Sequence, residues 1–316
     1  MSTTARKIPY VRLGKSGLKV SRIILGTMQY GDQRWQKWVI GDEKEVISHI
    51  KTAYDAGIQT FDTANVYSNG VSEILLGKAI KELKLPREEI VVMTKHIFES
   101  VKASLERLQL DYVDLLQCHR FDKETPIEET MQALHDVVQA GYVRYIGMSS
   151  CYAWQFHAMQ NYAIANKLTP FISMQNHYNL VYREEEREML PTLKHLGVGV
   201  IPWSPLARGL LTRPLTDKAA TTRGSTDWII SRYLGGAGTE EIVKRVEEIA
   251  KKRDISMAQV SIAWMLTKDP SAAPIVGTTS LKNLQDILEA VNVTLTSEEM
   301  QYLEEPYRAQ AIIGHT

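Results

Sequence analysis

Eight continuously apolar runs recur along the chain: Ile23–Met28, Thr60–Ala64, Ile90–Lys95, Val113–His119, Val143–Ser150, Phe171–Asn176, Gly197–Trp203 and Ala273–Gly277. None alternates apolar with polar, as a strand with one wet face would; strands covered on both faces read this way. Between them apolar positions fall at helical spacing. The stretch 43–57 ends on a glycine stop, 72–83 opens on a serine cap, and 126–141 starts with proline in its first turn and ends on glycine. Strand–helix alternation through the whole chain predicts a parallel sheet. Eight such units in 316 residues favour a closed (β/α)₈ barrel over an open sheet. Ahead of it, "YVRLGKSGLKVSRI" alternates around Gly14 to Gly17 and reads as a β-hairpin. No repeat or low-complexity linker divides the chain, so residues 1–316 are expected to form one domain. The interval from Trp203 to Ala273 has room for a long loop over Arg213–Trp228 and an extra helix.

Composition removes several function classes. Lys plus Arg and Asp plus Glu both total 37, so no basic excess exists for nucleic acid or an anionic membrane surface. No apolar run approaches the ~18 residues of a membrane span, and "MSTTARKIPYVRLG" lacks the apolar core of a signal peptide. The two cysteines, Cys118 and Cys151, form no metal or CxxC pattern and suit a reducing compartment. The expectation is a cytoplasmic protein.

Barrel active sites stand at the C-terminal ends of the strands. Read in order, those ends present Asp62, Lys95, His119, Ser149, Gln175 and Trp203. Singly each has an ordinary explanation: a helix cap, a solvated lysine, a core histidine, a core tryptophan. Their recurrence at one end of successive strands is the signal. Consecutive barrel strands lie roughly 5 Å apart, so Asp62 and Lys95 are expected to neutralise each other. Tyr67, in the turn "YSNG" after Asp62, can fold back over the same strand ends. A phenol becomes a useful acid–base group when a neighbouring ammonium favours its phenolate. A carbonyl oxygen between Tyr67 and His119 would take that proton as negative charge develops on it. No side chain supplies hydride, so a cofactor is implied. Ser149, Gln175 and the flat face of Trp203 suit a carboxamide-bearing ring such as nicotinamide. His119 has no second ligand at metal spacing, so no metal is expected.

With these residues in view, the chain resembles the aldo-keto reductase superfamily over nearly its full length. The segments are "LGTMQYGD", "FDTANVYSNGVSEILLGKAI", "VVMTK", "YVDLLQCHR", "GYVRYIGMSS", "MQNHYNL", "WSPLARGLLTR" and "APIVGTTSLKNLQDIL". "WSPLARGLL" and "RLGKSGLKVS" resemble the aryl-alcohol dehydrogenase-like and potassium-channel β-subunit-like subgroup. The resemblance implies NADPH-dependent, reversible reduction of a carbonyl compound. It assigns Tyr67 as general acid, Lys95 as its activator, Asp62 as partner of Lys95, and His119 as orienter of the carbonyl. It further implies that Gly26, Thr27, Met28 and Asp62 border the cofactor and that Ser149, Ser150 and Gln175 meet the carboxamide. Ser150 stands where the family often has asparagine. Trp203 would stack on the nicotinamide, with Ser204, Leu206, Arg208 and Gly209 along the pyrophosphate. Gly277, Thr279, Lys282, Asn283 and Asp286 would hold the adenosine end. Thr279 and Lys282 at a helix start suit a 2′-phosphate, hence NADPH over NADH. Met28, Tyr30, Phe121, Trp203 and Tyr152 are the expected substrate wall, suited to apolar or aromatic carbonyl compounds.

Two other functions compete with this one. A channel-subunit-like partner that keeps the cofactor with weak turnover would carry a long N-terminal extension, and little precedes Tyr10. A Schiff-base aldolase would need Lys95 neutral, which Asp62 opposes. A last expectation concerns the join of "VVMTK" to "HIFESVKASLERLQL", whose Ile97, Val101, Leu105 and Leu108 fall at helical spacing. Strand-to-helix loops usually need about 2–6 residues, and none remain here, where the resembled subgroup carries a longer loop. A break between Lys95 and His96 is expected, with Cα atoms much more than ~3.8 Å apart. The alternative is a short connection and an open site.

Overall fold

In the computed structural model, which describes residues 8–96, 101–217, 222–270 and 272–315, the apolar runs become a ring of parallel strands. The hairpin comes first, β1 (Tyr10–Arg12) antiparallel to β2 (Lys19–Ser21). The ring follows: β3 (Ile24–Gly26), β4 (Thr60–Asp62), β5 (Val91–His96), β6 (Val113–Cys118), β7 (Val143–Ser149), β8 (Phe171–Gln175), β9 (Gly199–Val200) and β10 (Ile275–Val276). Strands β3 to β9 pair in chain order, and β10 pairs with β3. Closure comes from the segment leading into β10. The Ala273 amide donates to Val200, the Ile275 amide donates to Pro202, and Ile24 donates to Pro274. The last strand is therefore bonded on both sides, and the fold is a (β/α)₈ barrel with an N-terminal hairpin.

The outer helices are α1 (Glu43–Asp55), α2 (Val71–Glu82), α3 (Val101–Leu108), α4 (Ile127–Gln139), α5 (Ala153–Ala165) and α6 (Met189–Leu196). Then come α7 (Thr222–Thr226), α8 (Trp228–Leu234), α9 (Thr239–Arg253), α10 (Met257–Leu266), α11 (Leu281–Leu288) and α12 (Ser297–Glu304). Two apolar layers hold the fold. Phe61, Val92, Leu116 and Ile146 point outward under the helices. Leu13, Ile24, Met93, Leu115, Ile201 and Ile275 fill the interior. Leu13 belongs to the hairpin, which stoppers the barrel at the strand starts. Gly14 sits there at φ 59°, where an added Cβ would lie 2.4 Å from the Gly197 carbonyl, and the Lys15 amide donates to that same oxygen at 2.7 Å. With one end plugged, the cavity is left at the strands' C-terminal ends.

Three expectations change. Helix α2 begins at Val71 after Gly70, and Ser72 is no cap: buried, it bonds the Thr27 carbonyl and hydroxyl at 2.8 Å each. Strand β5 runs unbroken through Lys95 and His96, which pair with Gln117 and Cys118, so the expected break at that bond is not found. Ile97 lies outside the described residues. Among the described residues the long interval before β10 holds four α-helices, more than the one extra helix expected; residues 218–221 of its expected loop also lie outside the described residues.

Candidate active site

The aspartate that ends β4 is the hub. Asp62 is 2 % exposed, a depth at which a carboxylate needs every oxygen partnered. Lys95 Nζ donates to Oδ2 at 2.6 Å; Gln117 and Gln175 donate to Oδ1 at 3.2 and 3.0 Å. Lys95, 1 % exposed, also donates to the Thr63 carbonyl and, at 3.2 Å, to the Tyr67 hydroxyl. Burial works against its charge, but Asp62 and then Tyr67 outweigh burial and hold its pKa above the ordinary lysine value. The ammonium is thus fixed at neutral pH with one face on the phenol. His119 stands edge-on to Tyr67, ring centroids 6.3 Å apart and planes at 88°.

Backbone conformation keeps Tyr67 there. Ser68, Asn69 and Gly70 all have positive φ (48°, 54° and 91°), an arrangement that persists only when surrounding contacts demand it. Ser68 is buried, and its hydroxyl accepts from the Asp32 amide at 3.1 Å. An added Cβ on Gly31 would fall 1.9 Å from that hydroxyl. The turn is locked against the loop after β3, which also brings Trp35 to 6.4 Å from the Tyr67 ring.

These groups face a cavity of about 760 Å³ at the strand ends. Of the residues expected from the sequence, Gly26, Thr27, Met28, Asp62, Tyr67, His119, Ser149, Gln175, Trp203, Ser204, Leu206, Arg208, Gly209, Gly277, Thr279, Asn283 and Asp286 line it. Five do not. Lys95 lies beneath, behind Asp62 and Tyr67. Ser150 is fully buried and its hydroxyl accepts from the Trp203 indole at 3.0 Å, so it orients the tryptophan. Tyr30 is a core residue, 1 % exposed and edge-on to His49. Phe121 packs on Trp154. Lys282 is exposed in the first turn of α11. Tyr152 is likewise outside, its ring against His315. A second hollow of about 730 Å³, between Arg183 and Glu305, contains none of the chemistry.

The structure also supplies residues that sequence reasoning missed. Lys37, Trp38, Arg120, Arg213 and Arg223 line the cavity, and Gln117 completes the shell of Asp62. Trp38 meets the Arg223 guanidinium at 4.2 Å. Arg208 and Arg223 both pair with Asp227, at 2.7 and 3.1 Å. The Trp203 ring is backed by His177, 4.1 Å away and inclined by 10°, which in turn stacks on Tyr182. Burial first, then the Arg208 charge, hold the His177 imidazole well below its ordinary pKa, so it is a neutral plate. None of these carried a local sequence signal beyond residue type, apart from "HR" and "NHYNL", which adjoin assigned positions.

The lining fits a nicotinamide dinucleotide on its own terms. Trp203 offers a flat face held from behind. After β9, Ser204, Ala207 and Arg208 all adopt positive φ (52°, 46° and 57°), the strained backbone typical of ligand clamps. The Arg208 Nε is buried without a partner, and Gly209, at φ 100°, leaves room for close approach. The Gln175 amide nitrogen is committed to Asp62 and Gln117, which leaves its Oε1 to accept from a carboxamide.

The fold and this constellation define an oxidoreductase barrel, and comparison with known proteins agrees. Residues 22–308 match the family model described as the aldo/keto reductase family. The chain is 47% identical to a versiconal hemiacetal acetate reductase of Aspergillus parasiticus, over 96% of this chain and 98% of that one. It is 46% identical to a putative aryl-alcohol dehydrogenase of Schizosaccharomyces pombe, over 96% and 97%. It is 44% identical to an aldo-keto reductase of Alternaria alternata, over 99% and 96%. That last alignment spans 354 positions against the 316 residues here, so the relative carries residues with no counterpart in this chain. The protein belongs to the aldo/keto reductase family, whose members reduce carbonyl compounds with nicotinamide cofactors.

Proposed function

We propose that this protein reversibly reduces an aldehyde or ketone to the alcohol with NADPH, Tyr67 giving the proton. One arrangement carries the reading: Lys95 Nζ lies 2.6 Å from Asp62 and 3.2 Å from the Tyr67 hydroxyl, below a cavity where His119 stands edge-on to that tyrosine. Bound NADPH supplies the hydride. The substrate carbonyl oxygen accepts hydrogen bonds from Tyr67 and His119. As negative charge gathers on that oxygen, the phenolic proton moves to it, and Lys95 stabilises the phenolate left behind. Asp62 keeps Lys95 charged and placed; Gln117 and Gln175 keep Asp62 in place.

Ser149 and the Gln175 Oε1 hold the carboxamide, and Trp203 covers one face of the ring. Arg208 and Arg213 serve the pyrophosphate, and Thr279 and Asn283 the adenosine end. Lys282, exposed on the first turn of α11, would bind the 2′-phosphate. Met28 and Trp38 make an apolar wall, in keeping with aromatic or apolar carbonyl substrates. The two cysteines are free and buried, in keeping with a cytoplasmic setting.

The test is loss of NADPH absorbance with a panel of aryl and alkyl aldehydes and ketones, repeated with NADH. Turnover with NADPH that disappears in Tyr67→Phe supports the reading. No turnover of any carbonyl compound, with cofactor demonstrably bound, overturns it.

A further inference from the structure

Lys37 and Arg120 line the cavity and have no role in the mechanism above, and of these Lys37 is exposed. Arg120 follows His119 at the end of β6, is half-buried, and lines the cavity with Tyr67 and His119. Among the described residues its guanidinium donates to the carbonyl of His119, its own neighbour. Among the described residues no carboxylate pairs with it. The acids around the cavity are committed elsewhere: Asp62 to Lys95, Asp227 to Arg208 and Arg223, and Asp286 to Ser256 and Gln259 at 2.6 and 2.9 Å. A half-buried guanidinium without a counter-charge is a prepared anion site, because its planar fork of donors is held at the cavity and left free for a carboxylate.

Topology says which anion it awaits. The segments suited to the cofactor phosphates follow β9 and β10. In the ring order, β6 lies on the opposite side from β10 and three strands from β9. Arg120 is thus across the barrel mouth from the phosphates and on the side of Tyr67 and His119, where the substrate carbonyl sits. Burial lowers the Arg120 pKa, and charge on the Tyr67 oxygen partly restores it, which places the guanidinium within electrostatic reach of the reacting end.

We propose that Arg120 forms a carboxylate-binding subsite beside the reaction centre, and that the protein favours carbonyl substrates carrying an acidic group a few bonds from the reducible carbon. The inference rests on the reductase reading, and it narrows the substrate class from apolar aryl carbonyls to aryl carbonyls with a carboxylate.

The experiment compares 3- and 4-formylbenzoate with their methyl esters, and adds calorimetric binding of benzoate to the protein with NADP⁺ present. Charge-assisted bonds to a guanidinium are roughly twice as strong as neutral ones. The better-placed acid is therefore expected to exceed its ester in kcat/KM by about tenfold or more, mainly through KM. Arg120→Gln should collapse that ratio towards one, and Arg120→Lys should restore part of it. Benzoate should bind the wild type, less tightly at high salt, and bind Arg120→Gln at least tenfold more weakly. Equal acid and ester rates in the wild type overturn the subsite. So does an Arg120→Gln loss that is the same for both substrates, which is what a role in tuning Tyr67 or bracing His119 would produce. If no aldehyde is turned over at all, the reductase reading fails, and benzoate binding still decides the subsite: absence of binding to the wild type sinks it.

Discussion

Replacing Lys95 by Met should unsettle the fold as well as the chemistry. The change keeps the length of the side chain and removes its charge. Asp62, 2 % exposed, then loses the cation 2.6 Å from its Oδ2. Breaking a buried ion pair by deleting one partner costs about 3–5 kcal/mol. Here Gln117 and Gln175 still donate to Oδ1, which argues for the lower end, about 3 kcal/mol. For a chain of this size that corresponds to a fall in Tm of roughly 4–6 °C. Asp62→Asn added to Lys95→Met should recover much of the loss, because the orphaned charge is gone while the amide still accepts from both glutamines. The pH dependence has a definite sign. Lys95 has its pKa raised in the folded state, so its contribution is complete below the ordinary lysine value and fades only as pH climbs past it. The deficit of Lys95→Met is therefore present in full at neutral pH. Melts followed by circular dichroism, for wild type and both variants at neutral pH, test this. A double variant no more stable than the single one would refute the pairing argument.

Tyr67→Phe should lower kcat about 10²–10⁴-fold while NADPH affinity, read by fluorescence titration, stays nearly constant; a rate near wild type would remove Tyr67 from the acid role. Lys282→Ala should weaken NADPH far more than NADH in the same titration, and equal losses would mean that this exposed lysine does not read the 2′-phosphate. His177→Gln breaks the plate behind Trp203 and should raise the KM for cofactor more than it lowers kcat. The depressed pKa of His177 means that acid favours the unfolded chain from about pH 6.5 downward, so this variant should lose less stability than wild type between neutral pH and pH 5. Parallel acid profiles for the two would count against a neutral buried imidazole.

The strands, the order of the catalytic groups and the barrel were legible in the chain because burial on two faces leaves continuous apolar runs, and strand ends inherit their places from the runs. Asp62, Lys95, His119, Ser149, Gln175 and Trp203 could be set side by side from topology alone. Side-chain direction could not. Tyr30 and Ser150 lie among assigned positions but turn into the core and toward Trp203, since a residue just past a strand end faces inward or outward according to local φ and ψ. Ser150, at φ 48°, lies in the left-handed region, which no periodicity reports. Long-range pairs were equally hidden: Gln117 with Asp62, His177 with Trp203, Trp38 with Arg223. Each joins residues from different strand–loop units: Gln117 and Asp62 stand on β6 and β4, His177 and Trp203 follow the neighbouring β8 and β9, and Trp38 with Arg223 meets only when the ring closes. Arg120, which has no carboxylate partner among the described residues, is the extreme case, because pairing depends on everything around a residue, and only the folded chain decides what that is.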